Sequence, residues 1–479
     1  MKDFFKLKEN NTNVSTEIIA GLTTFFTMAY IIFVNPSILS LNSGMSWQGV
    51  FAATILASVF GTLIMALYAN VPFALAPGMG SNAFFTFTLC KQMGFSWTEA
   101  LTIVFLCGLF IILITVTKLR KTLVEAIPDF LKNSISGGIG IFIAYIGLKS
   151  ASFLTFVSDA GKYAVLESGN VVSDSSIMPF LTVFNNPHAL LGLIGLILVI
   201  VLVVKKVKGA IFIGIIATVI IGIPMGVVDI SKIKFLDLKS VVLIKDVAFA
   251  AFKSSNITSL FSDFNKVVFT LIALFSLILS ETFGAIGTFI GAGKISGIFD
   301  SSSENGKNSL SGKRFGSKFE KALFSDGIAC AAGGLFGTSS VTTYVESASG
   351  ISVGGRTGLT GLVVAAMFLL CLPFANFFSI VPPEAAAPAL IVVGVLMMSS
   401  IMKIDWSDFE QAFPAFLTII IMAFSFNISY GIAAGFIFYC IVKLARGKIK
   451  EVHPILLIVS LLFLFNFAID AFRGMNGVK

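Results

Sequence analysis

Charged residues are scarce in this chain of 479 residues. Asp, Glu, Lys and Arg together occupy 12% of the positions, about half of their share in an ordinary soluble domain. Hydrophobic residues occupy 56%, and the mean hydropathy is +0.96. This composition excludes a water-soluble globular fold. Because apolar runs recur from end to end, it predicts an integral membrane protein with no separate soluble domain.

Cysteine and histidine are also too few to build a metal or disulfide framework. The five cysteines stand singly in apolar segments without a CxxC pair, and each of the two histidines adjoins a proline. The sequence therefore offers no zinc site and no disulfide network, and we expect no cofactor. It also lacks the nucleophile-base pair or metal cluster of an intramembrane enzyme, so we expect that the protein is not an enzyme.

The net charge of +8 does not indicate a nucleic-acid partner in such a chain. In a membrane protein an excess of Lys and Arg marks cytoplasmic loops. The basic clusters lie at Lys118 to Lys132, Lys205 to Lys208, Lys294 to Lys321 and Lys443 to Lys450. All four fall inside the cell if the N-terminus is cytoplasmic, and Asp159 to Pro187 then falls outside. We therefore predict a multi-pass protein of the plasma membrane with a cytoplasmic N-terminus.

Apolar runs predict fourteen membrane spans in two series of seven. The first series is Glu17 to Leu39, Gly49 to Ala69, Val71 to Leu89, Trp97 to Thr117, Asn133 to Phe153, His188 to Val204 and Gly209 to Val227. The second series is Lys266 to Gly287, Lys321 to Leu335, Ser339 to Ala348, Gly358 to Ser379, Ala385 to Ile401, Phe409 to Phe426 and Ile428 to Val442. A further apolar stretch, Ile455 to Ala471, is either a fifteenth span or a helix on the membrane surface.

Two of these spans are broken by glycine and proline at matching positions. The third opens with VPFALAPGMGSN and the tenth with GGLFGTSSVTTYVES; Gly337 follows Pro77 by 260 positions, and Lys266 follows Glu17 by 249. Paired broken segments of this kind point to a transporter with a site near the bilayer midplane. Because seven is odd, the second series must be inverted relative to the first. The fold class is thus an all-α polytopic membrane protein of two inverted repeats, with short extended strands in spans 3 and 10.

The two broken segments should cross each other inside the protein. Extended backbone must be sheltered from lipid, because each unpaired N–H or C=O group is costly there. The helix starts that follow the breaks carry free N–H groups and a partial positive charge. A crossing would shelter the extended backbone from lipid and would direct both helix starts at one polar ligand.

Two carboxylates are the strongest candidates for the site. Glu281 lies in VVFTLIALFSLILSETFGAIG, where a charge costs about 2.5 to 3.5 kcal/mol or more. A structural carboxylate that is protonated or paired with a lysine is the alternative, and we favour function. Glu346 follows the second break, where it either complements a helix dipole or binds ligand. We predict that Glu281 and Glu346 form a polar pair around one ligand and carry a coupling proton.

The remaining candidates surround the breaks. Asn82 offers a donor and an acceptor, although Asn near a helix start is as often only a cap. With 50 Phe in the chain, a single ring more often packs or faces lipid than stacks on a ligand. The side chains expected to line the pocket are Thr27, Tyr30, Phe84, Phe85, Thr342, Thr343 and Tyr344.

Three stretches carry a family resemblance. AGLTTFFTMAYIIFVNPSIL, ALAPGMGSNAFFTFT and GTSSVTTYVESASGISVGGRTGLTG resemble the signature segments of the adenine/guanine/hypoxanthine permeases, a branch of the nucleobase-ascorbate (xanthine/uracil permease) superfamily. The resemblance covers Glu17 to about Arg446. It implies a core domain and a gate domain, with substrate bound between spans 3, 8 and 10. It also implies a homodimer.

The same likeness assigns domains and residue roles. The core comprises residues 17–117 and 266–379, the gate residues 133–227 and 385–446, and residues 447–479 form a C-terminal tail. Glu281, Glu346 and Asn82 match the family's purine-binding positions. The sequence departs from the expected Asp-Thr-x-Gly-Thr pattern at span 8, where it has ETFGA, Glu281 to Ala285. The identity of the preferred purine therefore stays open.

The chemistry of a purine suits these side chains. A carboxylate accepts paired hydrogen bonds from the N–H groups of the base, while Asn82 and backbone N–H groups serve its ring acceptors. We predict import of hypoxanthine, guanine or adenine by proton symport with an elevator-like movement of core against gate. Sodium coupling, a xanthine or uracil carrier of the same fold, an anion carrier and an ion channel are the alternatives. The two acidic residues argue against an anion.

Overall fold

A computed structural model describes residues 4–41, 44–117, 126–156, 163–165, 171–173, 179–229, 243–252, 254–296, 298–299, 317–425 and 427–475. Lys118, Arg120 and Lys121 of the first basic cluster lie outside these residues, as do 301–316 of the third. Parts of the predicted external segment Asp159 to Pro187 also lie outside them.

The described part of the first half of the chain contains eight α-helices and five short strands. In order they are α1 (Val14–Met28), α2 (Ile31–Leu39), α3 (Trp47–Ile64), β1 (Leu75–Pro77), α4 (Met79–Ala83), π-helical turns at Phe84–Gln92, α5 (Trp97–Val116), α6 (Asp129–Ser150), α7 (Pro187–Val204) and α8 (Ala210–Gly222). Between α6 and α7 lie β2 (Leu154–Phe156), β3 (Tyr163–Val165), β4 (Val171–Ser173) and β5 (Pro179–Leu181), in which β2 pairs with β5 and β3 with β4.

The second half repeats the pattern of long helices around one broken segment. Its elements are α9 (Ser254–Leu260), α10 (Phe264–Ser296), α11 (Lys318–Phe336), β6 (Val341–Thr343), α12 (Ser347–Ser352), α13 (Gly358–Cys371), α14 (Ala375–Phe378), α15 (Pro383–Met398), α16 (Phe409–Phe424), α17 (Ile428–Ala445) and α18 (Pro454–Met475).

The helical architecture agrees with the predicted spans. In the described ranges, nine helices or helix pairs are long and apolar enough to cross a membrane, and three further apolar helices are shorter. Each of the fourteen predicted spans coincides with a helix or with one of the two broken segments. The predicted tail segment forms α18, which packs on α17.

The two broken segments meet as an antiparallel strand pair. Leu75 lies opposite Thr343, and Pro77 lies opposite Val341. Side chains satisfy the other edge of β1, since Leu75 N–H donates to Thr62 Oγ1 (2.9 Å) and Ala74 N–H donates to Ser347 Oγ (3.0 Å). Both strands are thus sheltered and hydrogen-bonded inside the protein, and the predicted crossing is confirmed.

Each strand leads into a short helix. After β1, α4 begins at Met79, close to the start predicted near Pro77. After β6, helix begins only at Ser347, so most of the predicted span Ser339 to Ala348 is not helical. Gly337 ends α11 with a φ of +92°, a left-handed conformation that favours glycine.

The most extensive helix packing falls into two groups. One group joins α1, α3, α5, α11 and α13, and the other joins α6, α7, α8, α15, α16 and α17. Helix α10 touches both groups, because it contacts α5 and β6 on one side and α6 and α17 on the other. Helix α4 also contacts α6, so α4 and α10 lie where the two groups adjoin, and β6 packs on α10.

Candidate functional site

Glu281 is held by the first broken segment. It lies on α10 and is only 3% exposed. Its Oε1 atom accepts a hydrogen bond from Ser81 Oγ of α4, and the Ser340 and Thr342 hydroxyls of the second segment lie near the same carboxylate. Within the described part of the chain, Oε2 has no hydrogen-bond partner of good geometry. One carboxylate oxygen is therefore fixed, and the other is open to a donor.

Glu346 is held by the first span. It is the residue before α12 and is partly buried, and its Oε1 accepts a 2.6 Å hydrogen bond from the hydroxyl of Tyr30. Tyr344 lies within electrostatic range of both Glu346 and Glu281, and its hydroxyl donates to Pro77 O at 2.5 Å. The structure thus places both carboxylates beside the strand pair, and their role as a polar pair around one ligand stays a prediction.

Asn82 spans the gap between the two breaks. It is fully buried, and its Oδ1 accepts a hydrogen bond from Ser339 Oγ. The start of α4 is capped by Gly78 and not by this side chain. Among the described residues, its Nδ2 atom has no partner. The amide group therefore keeps an unpaired donor among the described residues.

The three other predicted ligand contacts are differently placed. Thr27 Oγ1 bonds Thr24 O at 2.8 Å and shares a 2.9 Å bond with Ser349 Oγ. Phe84 is 2% exposed in the main hydrophobic cluster. Thr343 donates both its N–H (2.9 Å) and its hydroxyl (2.6 Å) to Asp326 Oδ1. Their ligand contacts stay predictions, and the Thr343 hydroxyl already has a structural partner.

Sequence reasoning missed two buried carboxylates. Asp326 is 2% exposed on α11 and anchors β6 through Thr343. Glu17 is fully buried and accepts from the N–H groups of Arg356 (2.9 Å) and Thr360 (3.1 Å), so it caps the start of α13. Asp326 had a usable signal, since it stands alone in the apolar part of its helix. Glu17 had none, because its partners lie about 340 positions away.

Comparison with known proteins identifies the family of this chain. The sequence matches the Permease family (Xan_ur_permease) over residues 15–434. The chain belongs to this family. It is a multi-pass membrane permease and not an enzyme, and the resemblance inferred from the signature stretches is confirmed.

Two relatives of the permease align along nearly their whole length. The chain is 41% identical to the guanine/hypoxanthine permease PbuO of Bacillus subtilis (strain 168), over 97% of this chain and 100% of that protein. It is 38% identical to the adenine permease AdeP of Escherichia coli (strain K12), over 98% and 96% of the two chains.

Solved structures support the fold of the permease. The transmembrane domain of the cyanobacterial bicarbonate transporter BicA superposes with a TM-score of 0.59 at 19% identity, covering 87% of this chain and 97% of that one. The murine anion transporter Slc26a9 in its inward-facing state gives 0.58 at 12% identity, covering 90% and 68%. At these identities the likeness shows a shared transporter fold, and the predicted fold class is confirmed.

Proposed function

We propose that the permease imports purine nucleobases, namely hypoxanthine, guanine or adenine, across the plasma membrane. The observation that carries this proposal is that, among the residues that the structure describes, the buried atoms Glu281 Oε2 and Asn82 Nδ2 have no hydrogen-bond partner. One is an acceptor and the other a donor, and a purine offers both N–H donors and ring-nitrogen acceptors to match them. The names of the relatives PbuO and AdeP support the same class of substrate.

The energetics of this site favour a neutral heterocycle. Hydrogen bonds to charged groups contribute about 1.5 to 3 kcal/mol each, so a few of them outweigh the cost of ordering a small rigid base. An anion would instead meet two carboxylates, Glu281 and Glu346, in a medium of low dielectric constant, where like charges repel strongly. The fold is shared with anion transporters, but these side chains favour a base.

We infer proton symport as the driving mechanism. A carboxylate in the membrane interior can take up a proton on one side and release it on the other, and Glu281 and Glu346 are the groups placed to do so. Sodium is the competing coupling ion; among the described residues, no cluster of three or more His, Cys, Asp or Glu side chains is placed to hold a metal ion.

The proposed movement is a displacement of a core domain against a gate domain. The core comprises residues 17–117 and 266–379, and the gate comprises residues 133–227 and 385–446. The two groups of packed helices support this division. We further propose two inverted repeats, a cytoplasmic N-terminus and a homodimer.

Uptake into proteoliposomes tests the proposed function. The purified permease is given labelled hypoxanthine, guanine or adenine at two external pH values, with unlabelled purines, xanthine, uracil, bicarbonate and sulfate as competitors. We expect saturable accumulation that increases at acidic external pH and that hypoxanthine, guanine and adenine inhibit, while xanthine, uracil and the anions do not. Inhibition by xanthine or uracil alone would show that the substrate is another nucleobase. Inhibition by bicarbonate or sulfate would contradict the proposal. Accumulation driven by a sodium gradient at constant pH would instead identify sodium as the coupling ion.

A further inference from the structure

A groove open to the membrane lies between α1 and α8. Its volume is about 450 Å³, and it is lined by Phe26 of α1, by one face of α8 and by Lys208. The Phe26 and Phe212 rings are 6.2 Å apart at its floor. Gly209, with a φ of +74°, lets the start of α8 approach α1, since a Cβ atom there would lie 3.0 Å from Phe26 O. The groove therefore sits at the seam between the two helix groups.

The α8 face that lines the groove is apolar, and the residues that the structure describes leave it exposed or half-buried. Its side chains follow helical spacing and are Phe212, Ile213, Ile216, Ala217 and Ile220. The opposite face of the helix is buried, with Ile211, Ile215 and Val219 against its neighbours. Ala217 is the small residue among larger ones, and the groove is deep because this position lacks a longer side chain.

The dimensions of the groove match one leaflet of a bilayer. From Ala210 to Ile220 the helix rises about 15 Å at 1.5 Å per residue, and half of a hydrocarbon core is also about 15 Å. An acyl chain lying along α8 would thus fill the groove from the headgroup level to the midplane.

A positive charge stands at one end of this apolar surface. Lys208 is exposed at the groove mouth, and Lys205 and Lys206 are exposed beside it. Exposed lysines at the end of a span lie at the headgroup level, where they attract anionic lipid. Over the part of the chain that the structure describes, no carboxylate lines the groove to neutralise Lys208.

We propose that this groove is a binding site for an anionic phospholipid. One acyl chain lies against Phe26 and the Ala217 face of α8, and the headgroup phosphate pairs with Lys208. The bound lipid touches both helix groups at once. This inference is independent of the substrate of the permease.

Quenching of tryptophan by brominated lipid tests the site. The reporter is Ile213→Trp at the groove rim, and the control reporter is Ile197→Trp, which is 53% exposed on α7 outside the groove. The signal of the three native tryptophans is subtracted with the unsubstituted chain. Vesicles of phosphatidylcholine contain increasing fractions of either brominated phosphatidylglycerol or brominated phosphatidylcholine.

We expect half-quenching of Ile213→Trp at a fraction of brominated phosphatidylglycerol about fivefold lower than the fraction of brominated phosphatidylcholine that is needed. This is the difference in affinity that one lysine contributes near a membrane surface. Adding Lys208→Gln should remove this preference, whereas adding Lys450→Gln, a charge outside the groove, should leave it. Ala217→Leu should weaken quenching by both lipids. Ile197→Trp should not distinguish them.

A second measurement uses the chain without a reporter. Native mass spectrometry from mixed micelles should retain phosphatidylglycerol in preference to phosphatidylcholine, and Lys208→Gln should lower that preference about fivefold. Equal quenching by the two lipids at Ile213→Trp overturns the proposal. So does a headgroup preference that survives Lys208→Gln in either measurement.

Discussion

At the scale of single residues, the site side chains of this permease are each half satisfied. Ser81 holds one oxygen of Glu281, and Ser339 holds the oxygen of Asn82. The other polar atom of each side chain lacks a partner among the described residues. A buried polar atom without a partner costs about 1 to 3 kcal/mol. In the proposed function, a ligand that completes both hydrogen-bond sets would recover this cost.

Glu281→Gln should abolish concentrative purine uptake. The amide keeps the shape of the side chain and can still accept from Ser81, but it cannot take up and release a proton. The measurement is the accumulation ratio of labelled hypoxanthine in proteoliposomes with an acidic exterior. Glu9→Gln is the control, because Glu9 is an exposed residue paired with Lys6. Wild-type accumulation by Glu281→Gln would remove Glu281 from the coupling site.

Asn82→Ala should change the selectivity among purines more than the amount of folded protein. The substitution removes the free Nδ2 donor and leaves Ser339 without its acceptor, so purines that differ at the contacted edge should lose unequal affinity, by up to about tenfold to a hundredfold. Inhibition constants of hypoxanthine, guanine and adenine measure this. Ser339→Ala is the control, since it removes the bond to Asn82 and keeps the amide. An unchanged inhibition profile for Asn82→Ala would make this residue structural only.

At the scale of elements, the strand pair depends on its neighbours for its existence. Strands β1 and β6 have three residues each, far too few to be stable alone. Asp326 anchors Thr343, Ser347 binds Ala74, and Thr62 binds Leu75. These bonds come from α11, α12 and α3. Because Glu346 directly precedes α12, its position depends on the close packing of that helix.

Gly350→Ala should disturb the site through α12. A Cβ atom at Gly350 would lie 2.1 Å from Thr24 Oγ1 and 2.5 Å from Ala20 O of α1. Such overpacking costs about 1 to 3 kcal/mol and moves α12 together with the adjacent Glu346. We expect a lower thermal denaturation midpoint in detergent and weaker purine uptake.

Gly287→Ala is the matched control for this effect. Gly287 lies in α10, and no atom of the described residues comes within 4 Å of a Cβ atom built there. Alanine favours a helix over glycine by about 1 kcal/mol, so this variant should be as stable as the parent or more so. Equal stability and uptake of the two alanine variants would show that close packing at Gly350 does not position Glu346.

At the scale of the whole molecule, two helix groups surround the site and adjoin along α10. Glu281 on α10 is bound by Ser81 of the first broken segment, while the same helix contacts α6 and α17 of the other group. Under the proposed displacement, a substrate bound beside Glu281 would move with one group while it faces the other. This arrangement is the physical basis for the proposed displacement of core against gate.

A cross-link between the groups should stop transport. In a chain whose five cysteines are replaced by alanine, Phe26→Cys with Phe212→Cys joins α1 to α8, where the native ring centroids are 6.2 Å apart. A short bifunctional thiol reagent should abolish purine uptake, and a cleavable reagent should allow its recovery.

The control cross-link lies inside one group. Tyr145→Cys with Phe424→Cys joins α6 to α16, where the ring centroids are 6.3 Å apart. This link should leave uptake unchanged, because both helices belong to the same proposed domain. Inhibition by both links, or by neither, would count against a displacement of the two groups.

The sequence by itself determined the membrane class, the positions of the apolar helices and the two broken segments, and it singled out Glu281 and Glu346 as candidates for the site. These follow from local properties: a long apolar run must cross the bilayer, glycine and proline interrupt a helix, and a lone charge in such a run is costly. Only the tertiary structure decided that Asp326 holds Thr343, that Glu17 caps α13 and that Ser81 and Ser339 hold the site. These contacts join residues up to about 340 positions apart, and pairing at such separation depends on how the helices pack, which no local pattern encodes.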